Sequence, residues 1–179
     1  SGGIFSALAD EILSTGQGVV YGVALMGNRA AHIRAQDAAG VAPMRGAKYI
    51  QSETGDIFTK VKRDLDDGLD VLFSGTPCQI SGLKRFLQKD YDNLVTVDVV
   101  CHGVSSPLLF SEHIKSMEKK RGQKIVRYNF SSKVRGWRIH TECATFQDGR
   151  EEYATAYSQK NAKIFFQGYS LRPSCYSCP

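Results

Sequence analysis

The chain of 179 residues carries a net charge of +5, with a hydrophobic fraction of 42% and a charged fraction of 23%. This length suits one domain with a sizeable core, and the composition is ordinary for a globular protein. The basic residues are scattered and form no block of like charges, so the charge does not by itself indicate a nucleic-acid-binding protein. No apolar run approaches the roughly 18 residues that a membrane span needs.

The first two thirds of the sequence alternates between helical and strand patterns. Helical spacing of apolar residues predicts helices at 4–13, 53–68, 79–90 and 106–122. Apolar runs predict strands at 18–27 and 93–103, a strand that runs into a turn at 70–79, and a second hairpin strand at 30–37 after a turn near Gly27-Asn28. This order predicts an α/β fold with a mainly parallel sheet and helices on both faces. The segment 93–103 is apolar almost throughout, which is typical of a strand at the centre of such a sheet.

The pattern changes after Gly122. Three segments, at 124–133, 137–149 and 151–159, predict antiparallel strands with a turn at Asp148-Gly149, and 162–173 predicts a short helix. We therefore expect a single α/β domain over 1–179, with a core at 1–122, an antiparallel β-rich segment at 123–170 and a loop at 171–179 that carries a cysteine pair. The abrupt start and end lead us to expect a fragment of a longer chain.

Four of the five cysteines are candidates for metal or redox chemistry. Cys78, in "FSGTPCQ", and Cys101, in "VVCHG", follow predicted strands, and ligands of open α/β sheets bind beyond the carboxyl ends of the strands. Together with the C-x-x-C pair Cys175 and Cys178, they suit a structural zinc or an iron–sulfur cluster. Buried apolar thiols and a redox disulfide are the alternatives. Cys143, in the middle of a predicted strand, is expected to be a core thiol.

The odd number of cysteines, in a chain long enough to fold without disulfides, favours a reducing, cytoplasmic location. A Ser-Gly-Gly run at 1–3 precedes the first helix, where backbone N–H groups can bind a phosphate. Lys48 and Tyr49 place a cation beside an aromatic ring, and His102 follows Cys101 as a possible hydrogen-bonding partner of a flavin or substrate. A plain loop, an exposed lysine beside a half-buried tyrosine and a structural histidine are the alternatives.

Five segments resemble, in their order along the chain, the beta subunits of coenzyme F420 hydrogenase and dehydrogenase. They are "SGGIFSAL", "RGAKYIQS", "LFSGTPCQISGLKRFL", "VDVVCHGVSSP" and "LRPSCYSC". The resemblance spans nearly the whole chain and is closest to the bacterial members that are often encoded with polysaccharide genes. It implies a flavin-dependent iron–sulfur oxidoreductase that passes electrons between a [4Fe-4S] cluster, FAD and a redox partner or substrate.

The resemblance also implies roles for individual residues. The cluster ligands would be Cys78, Cys101, Cys175 and Cys178. The Gly2-Gly3 loop and the Lys48-Tyr49 pair would belong to the FAD site. We expect Ser1, Thr76 and Pro77 to line the same site and His102 to be the catalytic residue.

The implied partners are a ferredoxin-like electron-donor domain or protein and a small-molecule substrate, without nucleic acid or a membrane span. Bacterial members of the family usually carry a cysteine-rich, ferredoxin-like segment before the "SGG" helix, and this sequence has none there. A zinc-stabilised, non-catalytic binding domain of a polysaccharide pathway is the rival hypothesis, because four thiolates also suit a structural zinc.

Overall fold

The computed structural model describes residues 3–155, 158 and 160–178, which divide into two compact units. The first unit contains the described residues of Ser1–Leu25, Ala31–Arg45 and Ser52–Cys101, and the second those of Met26–Ala30, Gly46–Gln51 and His102–Pro179. The predicted subdivision at residues 122 and 170 of one continuous domain stays a prediction.

The helices and strands of both units follow the predicted order closely. The helices are α1 (Ile4–Ser14), α2 (Ala38–Val41), α3 (Ile57–Asp66), α4 (Pro77–Leu87), α5 (Pro107–Arg121) and α6 (Lys160–Phe166). The strands are β1 (Gly18–Met26), β2 (Arg29–Ala35), β3 (Ser52–Glu53), β4 (Asp70–Gly75), β5 (Leu94–Asp98), β6 (Ile125–Ser132), β7 (Thr141–Phe146) and β8 (Glu151–Thr155). Short 3₁₀ turns lie at Ala42–Met44 and Pro173–Ser177.

The larger sheet has the strand order β3-β2-β1-β4-β5. Strand β1 pairs with β4, and β4 with β5, both in parallel. The two-residue connection between β1 and β2 makes these strands a hairpin, with Gly27 at φ 63°, a value that glycine adopts readily. The mainly parallel sheet and the hairpin near Gly27-Asn28 are both confirmed.

Alternate residues of β1 and β4 pack on opposite faces of this sheet. Tyr21 and Phe73 join the apolar residues of α3 and α4 in one core cluster. Val20 and Leu72 join those of α1 and α2 in another. These four side chains are fully buried, and burial of an apolar side chain such as Val20, Leu72 or Phe73 is worth roughly 1.5–3 kcal/mol. The prediction of helices on both faces is therefore confirmed.

Strand β5 lies at the end of the strand order, so its predicted central place was wrong. The strand ends at Asp98, earlier than predicted, and Val95 and Val99 are 40% and 50% exposed. An apolar run indicates a strand with apolar residues on both faces, but it contains no information about how many neighbouring strands pair with it. No helix in the described part of the chain combines the length and apolar character that crossing a bilayer requires.

The second unit contains a separate antiparallel sheet in the order β6-β7-β8. The predicted turn at Asp148-Gly149 connects β7 to β8, and the N–H of Phe146 donates to the carbonyl of Arg150 at 2.8 Å. Phe110 of α5 packs against Phe130 of β6, with ring centroids 4.9 Å apart. The predicted antiparallel segment is thus confirmed, and its core is aromatic.

Candidate functional site

Cys78 and Cys101 follow the same ends of two adjacent strands. Strands β4 and β5 end with Gly75 paired to Asp98 in parallel, and the N–H of Val99 donates to the carbonyl of Gly75 at 3.2 Å. Both thiols are exposed. We expected Cys78 and Cys101 at the same edge of the sheet because their strands were predicted to be parallel, and β4 and β5 do pair in parallel.

Cys78 lies in the first turn of a helix. Helix α4 starts at Pro77, so Cys78 is helical, and its predicted place in the turn before the helix was wrong. Proline at the first helical position and a capping box between Thr76 and Gln79 explain the early start. Proline has no N–H that would stay unpaired, and the capping box pairs two of the free N–H groups at the helix start. The Thr76 N–H donates to Gln79 Oε1 at 3.0 Å, and Thr76 Oγ1 lies 3.1 Å from Cys78 Sγ.

A chain of hydrogen bonds connects this turn to a buried histidine that sequence analysis missed. Gln79 Nε2 donates to Ser52 Oγ at 2.9 Å, and Ser52 Oγ lies 3.4 Å from His32 Nδ1. His32 Nε2 lies 3.3 Å from the carbonyl oxygen of Ser74. Burial lowers the pKa of His32, although hydrogen bonds to the backbone of Ser74 and Glu53 oppose the effect, so the ring is neutral at neutral pH.

Lys48, Tyr49 and His102 lie in the second unit. Tyr49 is half-buried, and its ring centroid lies 5.4 Å from that of Phe165 and 5.4 Å from that of His140. The exposed His102 contacts the same Phe165 ring at 5.5 Å. Tyr49 and His102 are therefore brought together through Phe165, a residue of α6 that sequence analysis did not single out.

The two side chains at positions 48 and 49 differ in charge at neutral pH. Lys48 Nζ donates to the carbonyl of Gly46 at 3.2 Å, and burial lowers the pKa of Lys48 to about 8. Burial raises the pKa of Tyr49, so its phenol keeps its proton. The pair thus presents a partly desolvated ammonium beside a neutral ring.

The C-x-x-C pair lies on the 3₁₀ turn at Pro173–Ser177 and just after it. The N–H of Cys175 donates to the carbonyl of Arg172 at 2.8 Å, and the N–H of Arg172 donates to the carbonyl of Val104 at 3.0 Å. The turn is therefore anchored to the segment that follows His102 within the second unit. Cys175 is partly buried and Cys178 is exposed.

The four candidate ligands are thiols, which is the donor type that holds iron–sulfur clusters. All four are at least partly exposed, so none is enclosed in the core. Among the described residues, however, no group of three or more His, Cys, Asp or Glu side chains is arranged to hold a metal ion. Cys143 is buried, as predicted, and burial raises the pKa of its thiol. All five cysteines lie in the described part of the chain, and each is a thiol outside any disulfide.

The predicted FAD residues are distributed over both units. Gly3, Thr76 and Pro77 lie in the first unit, while Lys48 and Tyr49 lie in the second. Gly3 caps α1 with φ 88°, and no described heavy atom lies within 4 Å of where a Cβ would stand. Ser1 and Gly2 lie outside the described residues.

Comparisons with known proteins show which family and which solved fold this chain is similar to. A family model described as the C terminus of the coenzyme F420 hydrogenase/dehydrogenase beta subunit matches residues 69–179, more than half of the chain. A chain of the F420-reducing [NiFe] hydrogenase complex from Methanosarcina barkeri, solved as a xenon derivative, aligns with a TM-score of 0.60 and 16% identity over 99% of this chain. The aligned part is 59% of that chain, and at this identity the likeness shows the fold alone. No curated protein matched.

Proposed function

This chain belongs to the coenzyme F420 hydrogenase/dehydrogenase beta-subunit family, and we propose that it is an oxidoreductase that uses FAD and a [4Fe-4S] cluster. The observation that carries the proposal is the placement of Cys78 and Cys101. Two exposed thiols follow the same ends of paired parallel strands, which is where open α/β sheets bind their ligands. Structural cysteines that only fill a core are buried, as Cys143 is.

We assign the cluster to Cys78, Cys101, Cys175 and Cys178. The donor type supports this ligand set, because iron–sulfur clusters are held by four cysteine thiolates and C-x-x-C spacing recurs among them. A bound cluster would supply single-electron transfer. The task of the chain is to present the four thiolates, and the hydrogen-bonded turns at Thr76 and Arg172 order two of the three segments that carry them.

We assign FAD binding to the start of α1 together with Lys48 and Tyr49. Among the described residues, no heavy atom lies within 4 Å of a Cβ built at Gly3, and this supports the assignment because an anionic group could approach the N–H groups of the first helical turn there. Lys48 would add positive charge for a phosphate, and the Tyr49 ring would add a flat apolar surface. His102 is exposed and would donate a hydrogen bond to the flavin or substrate.

The electron partner would be a ferredoxin-like domain or protein, and the flavin would exchange two electrons with a small molecule. An iron–sulfur cluster carries one electron at a time, whereas a flavin also carries out hydride transfer, so the combination suits a protein that connects these two kinds of partner. The half-buried Tyr49 and the exposed His102 both pack against the buried Phe165 ring, and these two accessible rings would offer a planar substrate or cofactor an aromatic contact in the second unit.

Anaerobic reconstitution of the protein with iron, sulfide and FAD tests the proposal. We expect about four irons and four sulfides per chain, one FAD, and an absorption spectrum with flavin and iron–sulfur bands. Cys78→Ser should lower the iron content, whereas Cys143→Ser, which changes a buried thiol outside the ligand set, should not. A colourless protein that retains one zinc would instead support the zinc-stabilised binding domain.

A further inference from the structure

The hydroxyl of Thr76 lies beside two groups that compete for its single hydrogen. Thr76 Oγ1 is 3.1 Å from Gln79 Oε1 and 3.1 Å from Cys78 Sγ. A hydroxyl has one donor hydrogen, so it can donate fully to only one of these groups at a time. The Cys78 sulfur can in turn give a hydrogen only while it is a thiol.

Two further hydrogen bonds fix the orientation of the Gln79 amide. Its Oε1 accepts the Thr76 N–H at 3.0 Å, and its Nε2 donates to Ser52 Oγ at 2.9 Å. A flipped amide would place its NH₂ group against the N–H of Thr76, which is a contact between two donors. The acceptor oxygen of Gln79 is therefore held towards the Thr76 hydroxyl.

Ser52 is oriented in the same way by the buried ring of His32. Ser52 Oγ accepts from Gln79 and lies 3.4 Å from His32 Nδ1. The Ser74 carbonyl can only accept, so in the neutral tautomer whose hydrogen is on Nε2 the Nδ1 atom is an acceptor for the Ser52 hydroxyl. The His32 ring is 5% exposed and stacks on Phe73 with centroids 5.2 Å apart. The chain of hydrogen bonds thus begins in the rigid core and ends at the exposed Cys78 sulfur.

We propose that His32, Ser52 and Gln79 form a positioning array that controls the hydrogen bond between the Thr76 hydroxyl and the Cys78 sulfur. In the thiol form, Gln79 takes the Thr76 hydrogen and the Cys78 S–H donates to Thr76. When Cys78 binds a metal as a thiolate, its S–H is gone, and the Thr76 hydroxyl is divided between Gln79 and the sulfur. This proposal rests on the proposed cluster ligation by Cys78.

The expected consequence is control of the reduction potential of the cluster. A hydrogen bond donated to a ligating sulfur stabilises the extra negative charge of the reduced cluster and so raises its potential. Gln79 competes for the Thr76 hydrogen, so it keeps the potential lower than full donation to the sulfur would give. Thr76 and Gln79 should therefore act on the potential in opposite directions.

Redox titration of the reconstituted protein tests this opposition. Thr76→Val should shift the potential of the cluster downwards, because the sulfur loses its donor. Gln79→Met, which keeps the side-chain length and removes the competing amide oxygen, should shift it upwards. Thr76→Ser keeps the hydroxyl and should stay close to the wild-type value. Shifts of the same sign in Thr76→Val and Gln79→Met, or no shift in either, would overturn the proposal. General damage to the start of the helix would not be expected to move the potential in opposite directions in these two variants.

The infrared S–H stretching band of cluster-free protein supplies an independent readout, assigned by its loss in Cys78→Ser. Thr76→Val should move this band to higher frequency, because the S–H loses its acceptor, and Thr76→Ser should not move it. An unmoved band in Thr76→Val would overturn the array even if the protein binds iron. A shifted band in a protein that takes up no iron would support the array while contradicting the proposed cluster.

Discussion

Asp64 is a buried carboxylate whose partners lie on two different strands. It is 3% exposed, and its Oδ2 accepts hydrogen bonds from Tyr21 Oη and Arg34 Nε, each at 2.6 Å. A buried charge is tolerated only when it is paired and hydrogen-bonded, and removal of one partner leaves part of its desolvation cost uncompensated. The three side chains therefore attach α3 to β1 and β2.

We expect Tyr21→Phe to lower the free energy of unfolding by about 1–3 kcal/mol, because it removes a hydrogen bond to a buried charged group without opening a large cavity. Urea unfolding measures the loss. Tyr91→Phe is the matched control, since its hydroxyl donates to Asp66 at 2.7 Å at an exposed site and water can replace it. Equal losses of unfolding free energy in the two variants would contradict the extra cost that we expect from burial of the Tyr21–Asp64 pair.

The Lys48 ammonium makes stability depend on pH in a predictable direction. Its pKa is lowered from 10.5 to about 8 by burial, so the folded protein binds fewer protons than the unfolded chain between these values. Stability rises with pH wherever the unfolded state binds more protons. The contribution of Lys48 should therefore increase from about pH 8.

Urea unfolding between pH 7 and about pH 9.5 measures this contribution as the difference between wild type and Lys48→Met. The wild type should gain stability relative to the variant as the pH rises. Lys84→Met changes an exposed lysine and should parallel the wild type. A constant difference between wild type and Lys48→Met across this range would contradict the lowered pKa.

Two glycines after α1 look alike in the sequence but have different structural requirements. Gly16 has φ +76°, and none of the described heavy atoms lies within 4 Å of a Cβ built there. A Cβ on Gly18 would lie 1.9 Å from the carbonyl oxygen of Ile12, a backbone atom that cannot rotate away. Gly16 is needed for its backbone conformation, whereas Gly18 is needed for the close approach of α1 to β1.

Gly18→Ala should accordingly destabilise the protein by more than about 3 kcal/mol, which is above the usual range for overpacking because the clash is with a backbone atom. Gly16→Ala should cost only about 1–2 kcal/mol, the usual strain of a left-handed non-glycine residue. Thermal or urea unfolding of both variants provides the comparison. A cost for Gly16→Ala that matches or exceeds that of Gly18→Ala would contradict the described packing of α1 on β1.

Periodicity predicted most elements correctly because it reports which face of a segment is buried. Helices α1, α3 and α5 and the hairpin of β1 and β2 follow from apolar spacing and turn residues alone. The place of β5 and the start of α4 did not follow. The place of β5 depends on pairing between distant segments, which local patterns do not report. The early start of α4 depends on Pro77 and the Thr76–Gln79 capping box. The motif "TPCQ" contained this signal, but the spacing of apolar residues does not reflect it.

At the scale of the whole molecule, the chain contributes separate segments to each compact unit. Residues 26–30 and 46–51 belong with the second unit, although the segments on either side belong to the first. Local sequence patterns cannot predict such interleaving, since it is decided by long-range contacts. The motifs in the sequence indicated the four candidate ligand thiols and the Lys48-Tyr49 pair. They did not indicate the buried His32, which is hydrogen-bonded towards the Cys78 turn through Ser52 and Gln79, or Phe165, which contacts Tyr49, because both contacts join segments that are distant in the sequence.

The accessibility of the five thiols gives a test at this scale. Cys78, Cys101 and Cys178 are exposed, Cys175 is partly buried and Cys143 is buried, so a bulky thiol reagent should modify the first three rapidly, Cys175 more slowly and Cys143 only after unfolding. Mass spectrometry of peptides from the timed reaction identifies each modified residue. Rapid modification of Cys143 in the folded protein would contradict the packing of β7.

The same reaction on protein reconstituted with iron and sulfide tests the ligand set as a whole. Thiolates bound to iron are unavailable to the reagent, so all four candidate ligands should become protected together, and Cys143 should react as before. Removal of the iron with a chelator should restore the original order of modification. Protection of only Cys175 and Cys178 would instead indicate a metal held by the C-x-x-C pair with other ligands, because Cys78 and Cys101 would then remain exposed beyond the sheet.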